Sequence, residues 1–228
     1  MEEARKSSLF ERLIDLLQRG RLVFLAVFVL LILAVAGLLI RNQIEQARFA
    51  EAVKALETLD EVYAGWESAS GDDKKAEALV KLQQEADKIA VTYPNTYYPQ
   101  RAHYLIAKIE FDAGQFDKAE LAFLDAVDSK KDSFFAGICL FNAAIAAEQA
   151  NHLDKSQEYL KRLVKDYKST TAQTPRALLA LGRIAEKNND FTKANEYYRQ
   201  IVDDYGNESD WTKVARDRII LLKTQQKL

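Results

Sequence analysis

Catalysis needs polar groups that converge, and this chain offers few that spacing alone brings together. Its two histidines are His103, on a helix face, and His152, in a turn. Neither has a cysteine or a second histidine at ligand spacing, so no metal site is read from them. The sole cysteine, Cys139, stands in the apolar run from Phe134 to Ile145, where it reads as a small core residue without a disulfide partner. There is no Gly-rich phosphate loop and no nucleophile elbow. Asp and Glu are scattered among Lys and Arg, as on solvated helix faces. These residue types predict no enzyme, no cofactor and no small-molecule substrate. Lys and Arg number 32 against 34 Asp and Glu, a balance that gives no argument for nucleic acid.

Binding chemistry is better supplied. Arg101, Lys108, Arg176, Arg183 and Lys187 are cations, Asn142 is an amide, and Tyr104, Phe141 and Ile145 are large and apolar. Gathered on one surface, such a set can receive an acidic segment or a C-terminal carboxylate of a protein ligand. What matters is which elements carry them.

Helix formers dominate. Ala, Leu, Lys, Glu and Gln are abundant, prolines number 3 and glycines 8, and no stretch alternates with period two. From Pro99 onward the chain repeats. Tyr104–Ala126 (YLIAKIEFDAGQFDKAELAFLDA), Cys139–Leu163 (CLFNAAIAAEQANHLDKSQEYLKRL) and Leu178–Ile201 (LLALGRIAEKNNDFTKANEYYRQI) align on Gly114, Asn151 and Asn189. With them coincide Phe116, Leu153 and Phe191, then Ala119, Ser156 and Ala194, then Phe123, Leu160 and Tyr198, and earlier Ala107, Ala144 and Gly182. Small residues in both helices of a pair let the backbones approach, and the large ones fill the space between pairs. Gly or Asn suits a left-handed turn position.

This pattern resembles the tetratricopeptide repeat, with offsets of 37 and 38 residues in place of 34. The expected fold is all-α: an N-terminal transmembrane helix followed by a tetratricopeptide-like solenoid of antiparallel helix pairs. The nine candidate binding residues fall on the first helices, which the resemblance places on the concave face. Only Asn142 and, with Arg for Lys, Arg176 match the carboxylate clamp of some tetratricopeptide proteins. Tyr104 and Ala180 stand where that clamp has basic residues.

The expected segments are a tail at 1–21, a membrane helix at 22–40 and the repeat domain at 41–228. The domain divides into a helix pair at 41–93, repeats at about 99–131, 133–170 and 174–206, and a closing helix at 209–226. Leu22–Ile40, LVFLAVFVLLILAVAGLLI, lacks any charged or polar side chain and spans roughly 28 Å as a helix, close to the hydrocarbon thickness of a bilayer. A cleaved signal reads less well, because Leu38, Leu39 and Ile40 continue the run past the small residues at 34–36. Arg5, Lys6, Arg12, Arg19 and Arg21 precede the span, and only Arg41, Arg48 and Lys54 follow closely, which favours a cytoplasmic N-terminus.

Ser8 and Glu11 have the spacing of a capping box, and residues 9–17 form an apolar face suited to the membrane surface or to a cytoplasmic partner. Gly20 is expected to turn the chain into the membrane. After the span, Phe49, Val53, Leu56, Leu59, Tyr63 and Trp66 recur at helical steps as a stalk. The loop SASGDD follows, in which Asp72 or Asp73 is expected to cap the next helix. Pro99 and Pro175 mark helix starts, the second after a capping Thr174.

The order of parts, and the local signal TYPNTYYPQRAHYLIAKIEFDAGQFDKAELAF, is similar to the YfgM-like proteins of the bacterial inner membrane. That resemblance implies a single-pass protein with a periplasmic repeat domain, ancillary to the Sec translocon and working with periplasmic chaperones. The alternative is a structural scaffold subunit of another envelope complex, such as a flagellar motor or division apparatus.

Overall fold

The computed structural model describes the backbone of residues 2–206 and 210–228, with side chains for residue 20 and for 22–206 and 210–228. Among the described residues there are helices and no strands. In chain order they are α1 (Glu2–Ser68), α2 (Asp72–Thr92), α3 (Tyr97–Asp112), α4 (Phe116–Ser129), α5 (Phe134–Gln149), α6 (Leu153–Asp166), α7 (Thr174–Lys187), α8 (Phe191–Asp204) and α9 (Asp210–Thr224). The chain divides into two compact units, Met1–Val53 and Lys54–Leu228.

The first unit is helical throughout its described backbone. Within it every residue from Leu22 to Ile40 is exposed except Ala36, which is half-buried. The stretch is long and apolar enough to cross a membrane. Two local expectations give way here. α1 begins at Glu2, so Ser8 lies inside the helix and its backbone N–H groups need no capping box. Gly20 does not turn the chain: a lone glycine costs a helix only about 1 kcal/mol, and strong helix formers flank it. The side chains of the apolar face at 9–17 lie outside the described residues.

In the second unit the helices pair antiparallel, and the turns explain the pairing. Gly114, Asn151 and Asn189 all adopt positive φ, at 75°, 63° and 59°. At each, the residue after the turn donates its N–H back to a carbonyl near the end of the first helix: Gln115 to Glu110, His152 to Ala147 and Asp190 to Ala185. This is how a helix ends on a left-handed residue, its orphan carbonyls satisfied. Two capping expectations are corrected. Gly71, not Asp72 or Asp73, holds the N-cap of α2, and both aspartates lie in the first turn, where the helix dipole favours them. Gln173 holds the N-cap of α7, so Thr174 is already helical and buried, and its hydroxyl donates to the carbonyls of Lys168 and Thr171.

Close approach does the rest. Ala107, Ala119, Ala144, Ser156 and Ala194 are fully buried. A Cβ on Gly182 would overlap the ring of Tyr198, and one on Gly137 would come within 2.7 Å of Thr171 Cβ. Each gap accepts a large neighbour, Phe123, Leu160 or Tyr198, all buried. Three apolar clusters follow one another along the array. The first centres on Leu82, Leu105, Ile109 and Phe123, the second on Leu140, Leu160 and Leu181, and the third on Leu178, Tyr198 and Ile201.

Candidate functional groove

The first helices of successive pairs, α3, α5 and α7, meet along one side of the second unit. Between them opens a pocket of about 310 Å³, lined by Tyr104, Lys108, Phe111, Asp112, Phe123, Phe141, Asn142, Ile145 and Arg176. Its floor is aromatic. Phe123 reaches it from α4 and packs edge-on against Tyr104, centroids 5.6 Å apart, and Tyr104 also meets Phe135 at 4.9 Å.

The polar rim is more telling. Arg176 is exposed, with its guanidinium 4.5 Å from the Phe141 ring centroid. Its Nη1 donates to Gln173 Oε1 at 2.9 Å. Those two contacts hold the side chain in place, yet no anion among the described residues pairs with it. The Asn142 amide has no hydrogen-bond partner among the described residues. On the α3 side the Lys108 ammonium lies 5.1 Å from the Tyr63 ring centroid. The contact with Tyr63 raises its pKa above the usual lysine range, against the opposing effect of burial, and Asp112 adds to the rise. The Tyr63 hydroxyl itself has no hydrogen-bond partner among the described residues, so the contact is between ring and charge.

Models of two families match the chain: a tetratricopeptide repeat-like domain over residues 18–140, and a tetratricopeptide repeat over residues 141–209. The chain belongs to the tetratricopeptide repeat-like domain family. Comparison with curated proteins finds no match. Among solved structures, 18 chains are similar. One is the crystal structure of MamA, 13% identical, with a TM-score of 0.43, covering 57% of this chain and 74% of that one. Tetratricopeptide domains bind other proteins and are typically non-catalytic.

Against that tetratricopeptide frame, the nine residues singled out from sequence divide. Tyr104, Lys108, Phe141, Asn142, Ile145 and Arg176 come together in the pocket. Arg101 instead pairs with Asp60 Oδ1 at 3.2 Å, and Arg183 pairs with Glu148 Oε2 at 3.3 Å. Lys187 is exposed in the last turn of α7, outside the pocket. Sequence reasoning missed Phe111, Asp112 and Phe123 as lining. Phe111 follows Tyr104 by seven residues, a helical repeat that would have found it. Phe123 belongs to a second helix, where its position in the repeat reads as filler between pairs.

One polar cluster of the tetratricopeptide array lies away from the groove. Glu120, on α4, is buried and accepts from Lys155 Nζ at 3.1 Å and Tyr159 Oη at 2.8 Å, with His152 Nδ1 at 3.0 Å from its other oxygen. Burial acts to raise its pKa, but the bonds from His152, Tyr159 and Lys155 outweigh it and hold the carboxyl below the usual range. Asp117, Glu120 and His152 place ligand atoms within 4.8 Å of one another, a grouping their spacing did not suggest. Glu120 already receives an ammonium there, so a cation must first displace a lysine, and the cluster reads as an ion-pair network. Burial pushes the Cys139 thiol up to about 12, which makes it unreactive. Burial likewise lowers the pKa of His103, against the pull of Asp125 and Asp87.

Proposed function

We propose that the chain is a membrane-anchored adaptor of the bacterial cell envelope. Leu22–Ile40 holds it in the inner membrane, with the N-terminus cytoplasmic and the repeats in the periplasm. The groove then keeps partner proteins beside the Sec translocon, periplasmic chaperones among them. The observation that carries this reading is the groove itself: an aromatic floor bordered by Asn142, without a hydrogen-bond partner among the described residues, and Arg176, without an anion among them. Buried aromatic surface beside unpaired polar groups is what protein interfaces use as anchor points. The apolar stretch near the N-terminus and the excess of Lys and Arg before it support the tether and its direction.

Site-specific photo-crosslinking in intact cells tests the proposal. A photoreactive residue at Asn142 or Ile145 should yield adducts with translocon subunits or envelope chaperones, and one at exposed Lys193 should not. Recovery of neither class from the groove positions would overturn it. Adducts of fixed stoichiometry within a large motor or division complex would replace it with a scaffold role.

A further inference from the structure

The groove's composition narrows what can fill it. At about 310 Å³ it lies at the small end of ligand pockets, with room for one or two side chains. Phe123 and Phe141 are 3% and 5% exposed, so the floor is rigid apolar surface. Its polar groups are distributed unequally. On the α3 side Lys108 is already engaged by Tyr63 and faces the charge of Asp112. On the α7 side Arg176 is held by Gln173 and Phe141 but meets no anion. Asn142, between them on α5, has both amide donors and its carbonyl without a partner among the described residues.

A free C-terminal carboxylate is poorly served here. Holding one needs several cations together, and Tyr104 and the buried Ala180 occupy the places that would supply them. A phosphate-bearing metabolite fares no better, because the charge of Asp112 offsets that of Lys108 and leaves the lining a net charge of one.

We infer that the groove takes an internal, extended segment of a partner protein, in which one large apolar side chain lies next to an acidic one. The apolar side chain enters between Tyr104, Phe111, Phe123 and Phe141. The neighbouring peptide group meets the Asn142 amide, and the carboxylate reaches Arg176. At the opposite end Asp112 offsets the charge of Lys108, whereas Arg176 is not offset, so the segment lies with its acidic side toward α7. This deepens the adaptor reading and rests on the groove being its partner surface.

The test uses the full chain in detergent micelles and fluorescent Gly/Ser peptides, acetylated and amidated at their ends, carrying one Phe flanked by Asp. Binding is followed by anisotropy. Replacing the peptide's Phe by Ala, or its Asp by Asn, should weaken binding about tenfold or more, since each removes a buried apolar side chain or a charge-assisted bond. Arg176→Glu should weaken the Asp peptide by a similar factor and come to prefer a Lys version. Asn142→Asp should also weaken the Asp peptide, whereas Lys193→Glu, the same charge reversal as Arg176→Glu placed on α8, should not. Unchanged thermal melting of these surface variants checks that they fold.

No binding of the Phe/Asp peptide, equal binding of its Ala version, or indifference to Arg176→Glu would overturn the inference. So would preference for a peptide with a free C-terminal carboxylate. If these peptides fail while groove crosslinks still capture envelope proteins, the adaptor reading stands and only the ligand chemistry falls.

Discussion

Two apolar helical stretches of this chain meet opposite fates. Leu22–Ile40 turns its large side chains outward, with Leu30 65% exposed and Leu38 65% exposed. α5 is also apolar over most of its length, yet Cys139, Leu140 and Ala143 are 0% exposed. The difference lies in size pattern and length more than in polarity. α5 intersperses Ala136, Gly137, Ala143, Ala144, Ala146 and Ala147 with its larger residues, so neighbouring helices can press against it from several sides. Leu22–Ile40 is dominated by Leu, Val, Ile and Phe and is long enough to cross a bilayer, in which lipid tails would take the place of neighbours. Hydrophobicity alone does not say what an apolar helix is for.

The largest effect should come from charging the outward stretch. Leu30→Asp with Leu31→Asp costs insertion roughly 5–7 kcal/mol, at about 2.5–3.5 for each acid near a helix centre. Fractionation after carbonate washing should move the double variant out of the membrane; retention would show that the stretch is not the anchor. Next, Leu140→Ala in α5 should lower stability by about 2–5 kcal/mol through the cavity it leaves, measured by denaturant unfolding of the full chain in micelles. A smaller loss, about 1–3 kcal/mol, is expected from Gly182→Ala, because the added methyl meets the Tyr198 ring. If that substitution is neutral, the close approach of α7 and α8 is not what sets their packing.

A loss of similar size, but one that depends on pH, concerns the buried polar group beside α5. The Glu120 carboxyl titrates lower in the folded chain than in an unfolded one. Its network therefore stabilises the fold at pH above the ordinary carboxylate range, and that share is lost as pH falls through the lowered folded value. Glu120→Gln should cost about 1–3 kcal/mol near neutrality and flatten the acid limb of a melting-temperature profile. A variant profile parallel to that of the unchanged chain would show that Lys155 and Tyr159 contribute nothing through this carboxylate.

Much of the fold was legible because its cues are local. Gly114, Asn151 and Asn189 stand at the helix ends that their left-handed tolerance suggested, and the small residues stand where backbones come closest. The helix starts were less legible. Asp72, Asp73 and Thr174 have good capping chemistry, yet Gly71 and Gln173 hold those positions, since packing sets where a helix begins and a cap adapts to it. The groove was legible in part for a related reason. Repeat alignment placed Tyr104, Phe141, Asn142 and Arg176 on one face, but it could not show that Arg101 and Arg183 are taken by Asp60 and Glu148. Ion pairing joins residues 41 and 35 positions apart in the chain, beyond the reach of any helical period. The grouping of Asp117, Glu120 and His152 escaped for the same reason.

The helices of the array share their walls. α5 gives Ala143 and Ala146 to one apolar cluster and Leu140 and Ala144 to the next. α7 likewise divides Leu181 and Leu178 between the second cluster and the third. No cluster can come apart without stripping one side of a helix that still serves its neighbour. Loosening should therefore travel inward from α9, the last of the described helices, and hydrogen-exchange protection should climb from α9 toward α5. The α5 side of the groove sits toward the protected part of that gradient, so a partner should meet a surface already formed there.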